Sequence, residues 1–218
     1  MTTHASAKHP VRPGAQGKLV VVSAPSGTGK TTLCARLLQE IPELVLSIST
    51  TTRKPRGQEQ HGVEYFFIPE DEFKRLISAD RFAEWAHVHG NYYGTTKDFV
   101  EEAFARGQSL LLDIDVQGAE SLRKAYPDRI VTVFLQPPNM EELERRLRAR
   151  GTDGEESIQK RLRNAVEEIK HAGRFDHVVV NDRFDHAYLE LATIVLQAIR
   201  GQTIAGGGSG PRGGARDA

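Results

Sequence analysis

Residues 18–23 (KLVVVS) make a short, almost unbroken apolar run rich in β-branched side chains, the pattern of a parallel strand buried on both faces. A glycine-rich turn follows. Over residues 31–40 Leu33, Leu37 and Leu38 recur at helical spacing until Pro42 ends the helix. Residues 45–50 predict a second strand, and 109–113 (SLLLD), 130–135 and 177–180 predict three more. Helices are predicted over 96–106, 139–150, 155–171 and 184–200. In 155–171, Ile158, Leu162, Val166 and Ile169 fall on one apolar stripe. In 139–150 the spacing predicts surface ion pairs Glu141–Arg145, Glu142–Arg146 and Glu144–Arg148. Strands alternating with helices predict an α/β fold, a mainly parallel sheet covered on both faces.

The texture changes between Arg53 and Gly94, where short aromatic strands over 65–68 and 82–89 surround a helix near 71–78. That segment reads as an insert with its own small sheet. The chain therefore divides into a flexible lead-in (1–16), one domain (17–200) and a disordered Gly-rich tail (201–218). Within the domain the core is 17–50, 95–138 and 172–200, the β-rich insert is 51–94, and a charged helical segment is 139–171.

Composition narrows the function classes. Acidic and basic residues balance at 29 each, so no net field draws the chain to nucleic acid or a membrane. No apolar run approaches the roughly 20 residues that a membrane span needs. The single cysteine, Cys34, fits a reducing compartment, hence the cytoplasm. His87 and His89 alternate as on a strand and have no third ligand at metal spacing. Oligomeric state is left open.

The strongest chemical signal is Ala24-Pro25-Ser26-Gly27-Thr28-Gly29-Lys30-Thr31-Thr32, which follows a predicted strand and opens a predicted helix. In that context it is a P-loop, and the core becomes a P-loop NTPase-type sheet. Backbone N–H groups and the helix N-terminus would cradle phosphates, Lys30 would reach the β- and γ-phosphates, and the Thr31 hydroxyl would ligand Mg²⁺. Ala24 stands where the motif has its first glycine, so its backbone must avoid the glycine-only region. Asp113, where an apolar strand emerges, is a candidate for organising the same Mg²⁺, partly through water.

Between these two features runs Thr51-Thr52-Arg53-Lys54-Pro55-Arg56-Gly57-Gln58-Glu59, continuing through Gly62 to Tyr65-Phe66-Phe67. It resembles the guanylate kinase signature, in which T-[ST]-R is followed by a basic residue, an acid, a glycine and Y-x-[FY]. The likeness continues in Phe82-Ala83-Glu84-Trp85, Gly90 to Thr95, Asp113-Ile114-Asp115-Val116-Gln117-Gly118, Arg150-Gly151-Thr152 and Glu155 to Arg161, and covers about residues 18–200. The resemblance implies a kinase moving a phosphoryl group from MgATP to GMP, and with it dGMP, the insert binding GMP and residues 139–171 acting as a lid.

On that resemblance Arg53, Arg56, Glu59, Tyr65 and Tyr93 bind GMP, the arginines and tyrosines at its phosphate. Glu84, Ser49, Thr95 and Asp115 lie on the guanosine side. Guanine's N1–H and N2 amine are adjacent donors that one carboxylate accepts together, and O6 accepts from a hydroxyl. Arg150 and Arg161 would close over ATP, with Arg146 a further candidate, and Asn181 with Asp182 would lie on its adenine side. Two other readings are a guanylate-kinase-like protein-interaction module without catalysis and a P-loop kinase for a sugar phosphate. Retention of Lys30, Thr31, Arg53, Arg56, Asp113, Arg150 and Arg161 argues against the first. The base-reading set around Glu84 argues against the second.

Overall fold

A computed structural model describes residues 17–88, 90–149, 151 and 153–201. The lead-in, the Gly-rich tail beyond Gly201, His89 and the predicted lid residue Arg150 lie outside these. Five strands form one parallel sheet in the order β2-β7-β1-β8-β9: β1 (Leu19–Ser23), β2 (Leu44–Leu46), β7 (Ser109–Asp113), β8 (Ile130–Gln136) and β9 (His177–Val180). β1 lies at the centre, its Val22 opposite Asp113 of β7 on one side and Val133 of β8 on the other. Its unbroken apolar pattern has a direct cause. Val20 and Val22 join one core with Leu33 and Leu37 of α1 (Lys30–Glu40) and Leu191 and Val195 of α7 (Phe184–Arg200). Leu19 and Val21 join another with Val100 and Phe104 of α3 (Lys97–Ala105) and Leu122 of α4 (Val116–Ala125). Both faces are covered, so no alternation is needed.

A second, mixed sheet has the order β4-β3-β6-β5, from β3 (Thr50–Thr51), β4 (Phe66–Phe67), β5 (Phe82–Val88) and β6 (Asn91–Thr96). Helix α2 (Glu70–Ser78) closes it, with Phe73 stacked on Phe82 at 4.3 Å and on Tyr92 at 5.3 Å between ring centroids. The predicted single strand over 45–50 is corrected here. The Ser47 N–H still bonds Leu111 O of the core sheet, but Ser49 O already accepts from Phe66 N of the second. The chain stays extended while its partner changes, and hydrophobic pattern carries no information about partners.

Helix α4 is absent from the elements the apolar pattern predicts. Its sequence, VQGAESLRKA, buries only Gly118, Ala119 and Leu122, too few for a periodic signal. Two further expectations shift. On α6 (Glu155–Ile169) the buried face toward α5 (Met140–Ala149) uses Ala165, while Val166 is 44% exposed. Arg145 pairs with Glu142 rather than Glu141, because Glu142 lies one turn from both Arg145 and Arg146 and accepts from each. That double pairing holds the Glu142 carboxyl down at about 2. Among the described residues no helix is long and apolar enough to cross a membrane.

Candidate active site

The phosphate loop leaves β1 at Ser23 and enters α1 at Lys30, with Gly29 as the N-cap residue at φ 98°. Asp80 is the one non-glycine residue with positive φ among those described, so Ala24 keeps an ordinary backbone and the loop closes without the motif's first glycine. Gly29 is bound twice over. Beyond its φ, a Cβ there would lie 2.7 Å from Nδ2 of Asn181, which donates to Thr28 O at 2.7 Å. Arg146 reaches the same place from α5, donating Nη1 to Thr28 O (3.4 Å) and Nη2 to Asn181 O (3.0 Å). Asn181 is 5% exposed, so in this arrangement it holds the loop from behind. Gly29→Ala is expected to strain the backbone and push Asn181 off Thr28. The cost is about 2–3 kcal/mol, a melting temperature lower by roughly 5–10 °C in a scanning calorimeter.

Lys30 forms an ion pair with Asp113, joining the loop to the end of β7 as Val22 and Asp113 are already joined by sheet register. Both lie on the wall of a cavity of about 730 Å³. Its other walls are Ala24 to Gly27 of the loop, residues 114–117 at the start of α4, and Glu167, Glu168 and His171 near the end of α6. Thr31 lines the cavity and Thr32 is exposed one residue on. Arg161 of α6 spans from the helical segment to the loop, donating to Ser26 Oγ at 2.9 Å and to Asp153 at 3.0 Å. Sequence reasoning missed Glu168. It lines the cavity, and burial raises its pKa, with Lys30 lowering it and Asp115 raising it. The only signal was its place beside Ile169 on the inward stripe.

The second sheet carries two clusters, neither lining that cavity among the described residues. In the first, Arg53 is buried and forms a two-pronged pair with Glu59, Nη1 to Oε2 and Nη2 to Oε1, each 2.9 Å. Its guanidinium lies over the Tyr65 ring at 5.2 Å, and the Tyr65 and Tyr93 rings meet edge-on at 6.1 Å. Arg56 is exposed at the same loop. Ser49 stands at the entry to β3.

The second cluster is Glu84 with Thr95. A bulge shifts the β5–β6 register by one residue between Phe82 and Glu84, so Glu84 faces Thr95, where regular pairing from Phe82 would set it against Gly94. Thr95 Oγ1 donates to Glu84 Oε1 at 2.8 Å, and both residues are buried. Burial pushes the Glu84 carboxyl up to about 7, the Thr95 hydrogen bonds pull it down, and Asp115 pushes it up again. Asp115 caps α4 by accepting from Gly118 N at 2.8 Å, and a Cβ on Gly118 would come within 3.2 Å of Glu84 Oε2. Glycine at 118 thus gives the buried carboxylate its room.

These features have parallels in known proteins. The family model described as guanylate kinase matches residues 16–198. A guanylate kinase of Oleidesulfovibrio alaskensis is 51% identical over 188 residues, 86% of this chain and 90% of its own length. That of Myxococcus xanthus is 49% identical over 181 residues, 83% and 86% of the two chains. The crystal structure of guanylate kinase from Anaplasma phagocytophilum superposes with a TM-score of 0.67 at 33% identity, covering 85% of this chain and 87% of that one. The family match runs through the phosphate loop, the acidic strand end and the second sheet, the sequence and the fold agree, and the chain belongs to the guanylate kinase family.

Proposed function

We propose that this chain transfers the γ-phosphoryl group of ATP to GMP, yielding ADP and GDP, with the roles divided as follows. Residues 24–32 hold the ATP phosphates, with Lys30 on the transferring group. The insert, 51–94, holds GMP, and residues 139–171 act as the lid. The observation that carries the choice of acceptor is the buried Glu84, set by a bulge against Thr95 and next to Asp115. A buried carboxylate accepts two adjacent donors, which guanine's N1–H and N2 amine supply. Adenine would turn an acceptor toward it and leave both unpaired.

Phosphoryl transfer asks for positioning and neutralisation of charge more than for covalent chemistry. Arg53 and Arg56 are suited to a phosphate dianion by guanidinium forks, and Arg161, already at Ser26, to the transferring group. The acceptor atom is a phosphate oxygen, so no strong general base is required. A hydroxyl at Thr31 and a carboxylate at Asp113 are hard oxygen donors at the phosphate end of the cavity, a set that suits Mg²⁺. When bound, Mg²⁺ supplies charge neutralisation on the β- and γ-phosphates. The lone Cys34, buried with its thiol pushed up to about 12 by desolvation, fits a cytoplasmic enzyme.

The test is ADP formation from MgATP with GMP, AMP, UMP or no acceptor. Turnover with GMP, at least about 100-fold above the other acceptors, is expected. Folded protein without GMP-dependent turnover would overturn the reading and favour the interaction module.

A further inference from the structure

We infer that Glu59 is a positioning residue, one that fixes Arg53 for the acceptor's phosphate without touching the acceptor itself. The inference rests on the reading above of Arg53 and Arg56 as the GMP phosphate cradle. A guanidinium has five N–H donors, arranged along three edges. Arg53 gives one Nη1 hydrogen and one Nη2 hydrogen to the two Glu59 oxygens, and another Nη1 hydrogen to Lys54 O at 2.9 Å. What remains beyond Glu59 and Lys54 is Nε–H and the second Nη2–H, side by side on a different edge, with the Tyr93 side chain a further partner of the guanidinium. That pair is itself a fork of the spacing a phosphate takes. Glu59 thereby selects which edge Arg53 presents.

Glu59 also holds Arg56. Its Oε2 accepts from Arg56 N at 2.8 Å, and its own N–H donates to Arg56 O at 3.0 Å. One side chain therefore closes the 53–59 loop around both arginines. Tyr65 and Phe67 flank the Arg53 guanidinium at 5.2 and 5.8 Å, which leaves it few other orientations. The pairing with Arg53, followed by the Arg56 N–H, holds the Glu59 carboxyl below its usual range. It is an ionised acceptor with nothing to donate to a phosphate dianion. On this inference Glu59 serves the GMP site through Arg53, in place of direct contact with GMP.

Two effects of removing the charge oppose each other. A carboxylate next to Arg53 repels an incoming phosphate, so its loss alone would tighten binding. Its loss also frees a long side chain that must then be ordered by the ligand. Because the phosphate uses another edge and need not displace Glu59, the ordering effect should win.

The experiment is equilibrium binding of GMP, and separately of ATP, to the full chain and to Glu59→Gln, Arg53→Ala and the double variant. The expected result for Glu59→Gln is GMP binding weaker by roughly 10-fold, with ATP affinity within about twofold. In the Arg53→Ala background the same change should add less than about twofold, since the glutamine oxygen still accepts from Arg56 N and what it loses is the hold on Arg53. Unchanged or tighter GMP binding in Glu59→Gln, or an equal loss in both backgrounds, overturns the inference. Should Glu59→Gln not fold, Glu59→Asp, which keeps the charge and shortens the reach, carries the same comparison. Wild-type protein that binds ATP but not GMP would defeat the functional reading first, and this inference with it.

Discussion

Replacing Lys30 by Met is expected to lower kcat by roughly 10³-fold while leaving GMP affinity within about twofold. Lys30 sits at the N-terminus of α1 on the cavity wall, where its ammonium can follow charge from the bridging to the transferring phosphate. Methionine keeps the length and the apolar stem and removes only the charge. The lost interaction is one strengthened in the transition state, so it should appear in kcat and not in acceptor binding. The change also leaves Asp113 without its ion-pair partner. Asp113 is 48% exposed, so water takes over and the melting temperature should barely move. Single-turnover transfer from ATP to GMP, together with GMP binding, separates the outcomes. A loss confined to KM would assign Lys30 to ground-state binding and remove it from the transferring group.

The α/β core was legible because its signals are local. β1 is apolar throughout and sits between two covered faces, and Gly27-Thr28-Gly29-Lys30-Thr31 lies where β1 passes into α1. Partner choice was not local. Nothing in residues 45–51 marks the point where the chain leaves Leu111 for Phe66, since an extended backbone looks the same in either sheet. The same limit hid the reason for Glu84. On an alternating strand it reads as a rim residue, whereas a bulge sets it against Thr95 and it lies buried beside Gly118 of α4. Glu59 was assigned to the GMP site by its motif, and spacing alone did not reveal that it is a bidentate partner of Arg53. Asn181 was singled out for the nucleotide, and its amide turned out to hold Thr28 O, a contact across 153 residues.

Glu84→Gln is expected to lower kcat/KM for GMP by roughly 10²–10³-fold, two charge-assisted hydrogen bonds being worth about 1.5–3 kcal/mol each and partly retained by the amide oxygen. The glutamine amide also turns an N–H₂ donor toward guanine's donors, so discrimination against AMP should shrink by a similar factor. The pH profile gives the sharper test. In the free protein the carboxyl titrates near 7, held up by burial and by Asp115 against the Thr95 hydrogen bonds, while Gly118 on α4 brings no charge. Guanine needs the ionised form. Log kcat/KM for GMP should therefore rise with a slope approaching one between about pH 6 and pH 7 and then level off, while kcat at saturation stays flatter. GMP's own phosphate titrates near 6, so an inflection there is expected in every variant. In Glu84→Gln only that lower inflection should remain, and in Asp115→Asn the upper one should move down. Stability runs the other way. A carboxyl whose folded pKa is raised from 4.5 to about 7 binds more protons folded than unfolded, so its contribution falls as pH climbs through that window. Wild-type protein should lose stability between pH 4.5 and 7 relative to Glu84→Gln, over the same interval in which it gains affinity for GMP. A wild-type profile with no inflection near 7, or one that survives in Glu84→Gln, would show that another group sets the pH dependence and would remove Glu84 as the base-reading residue.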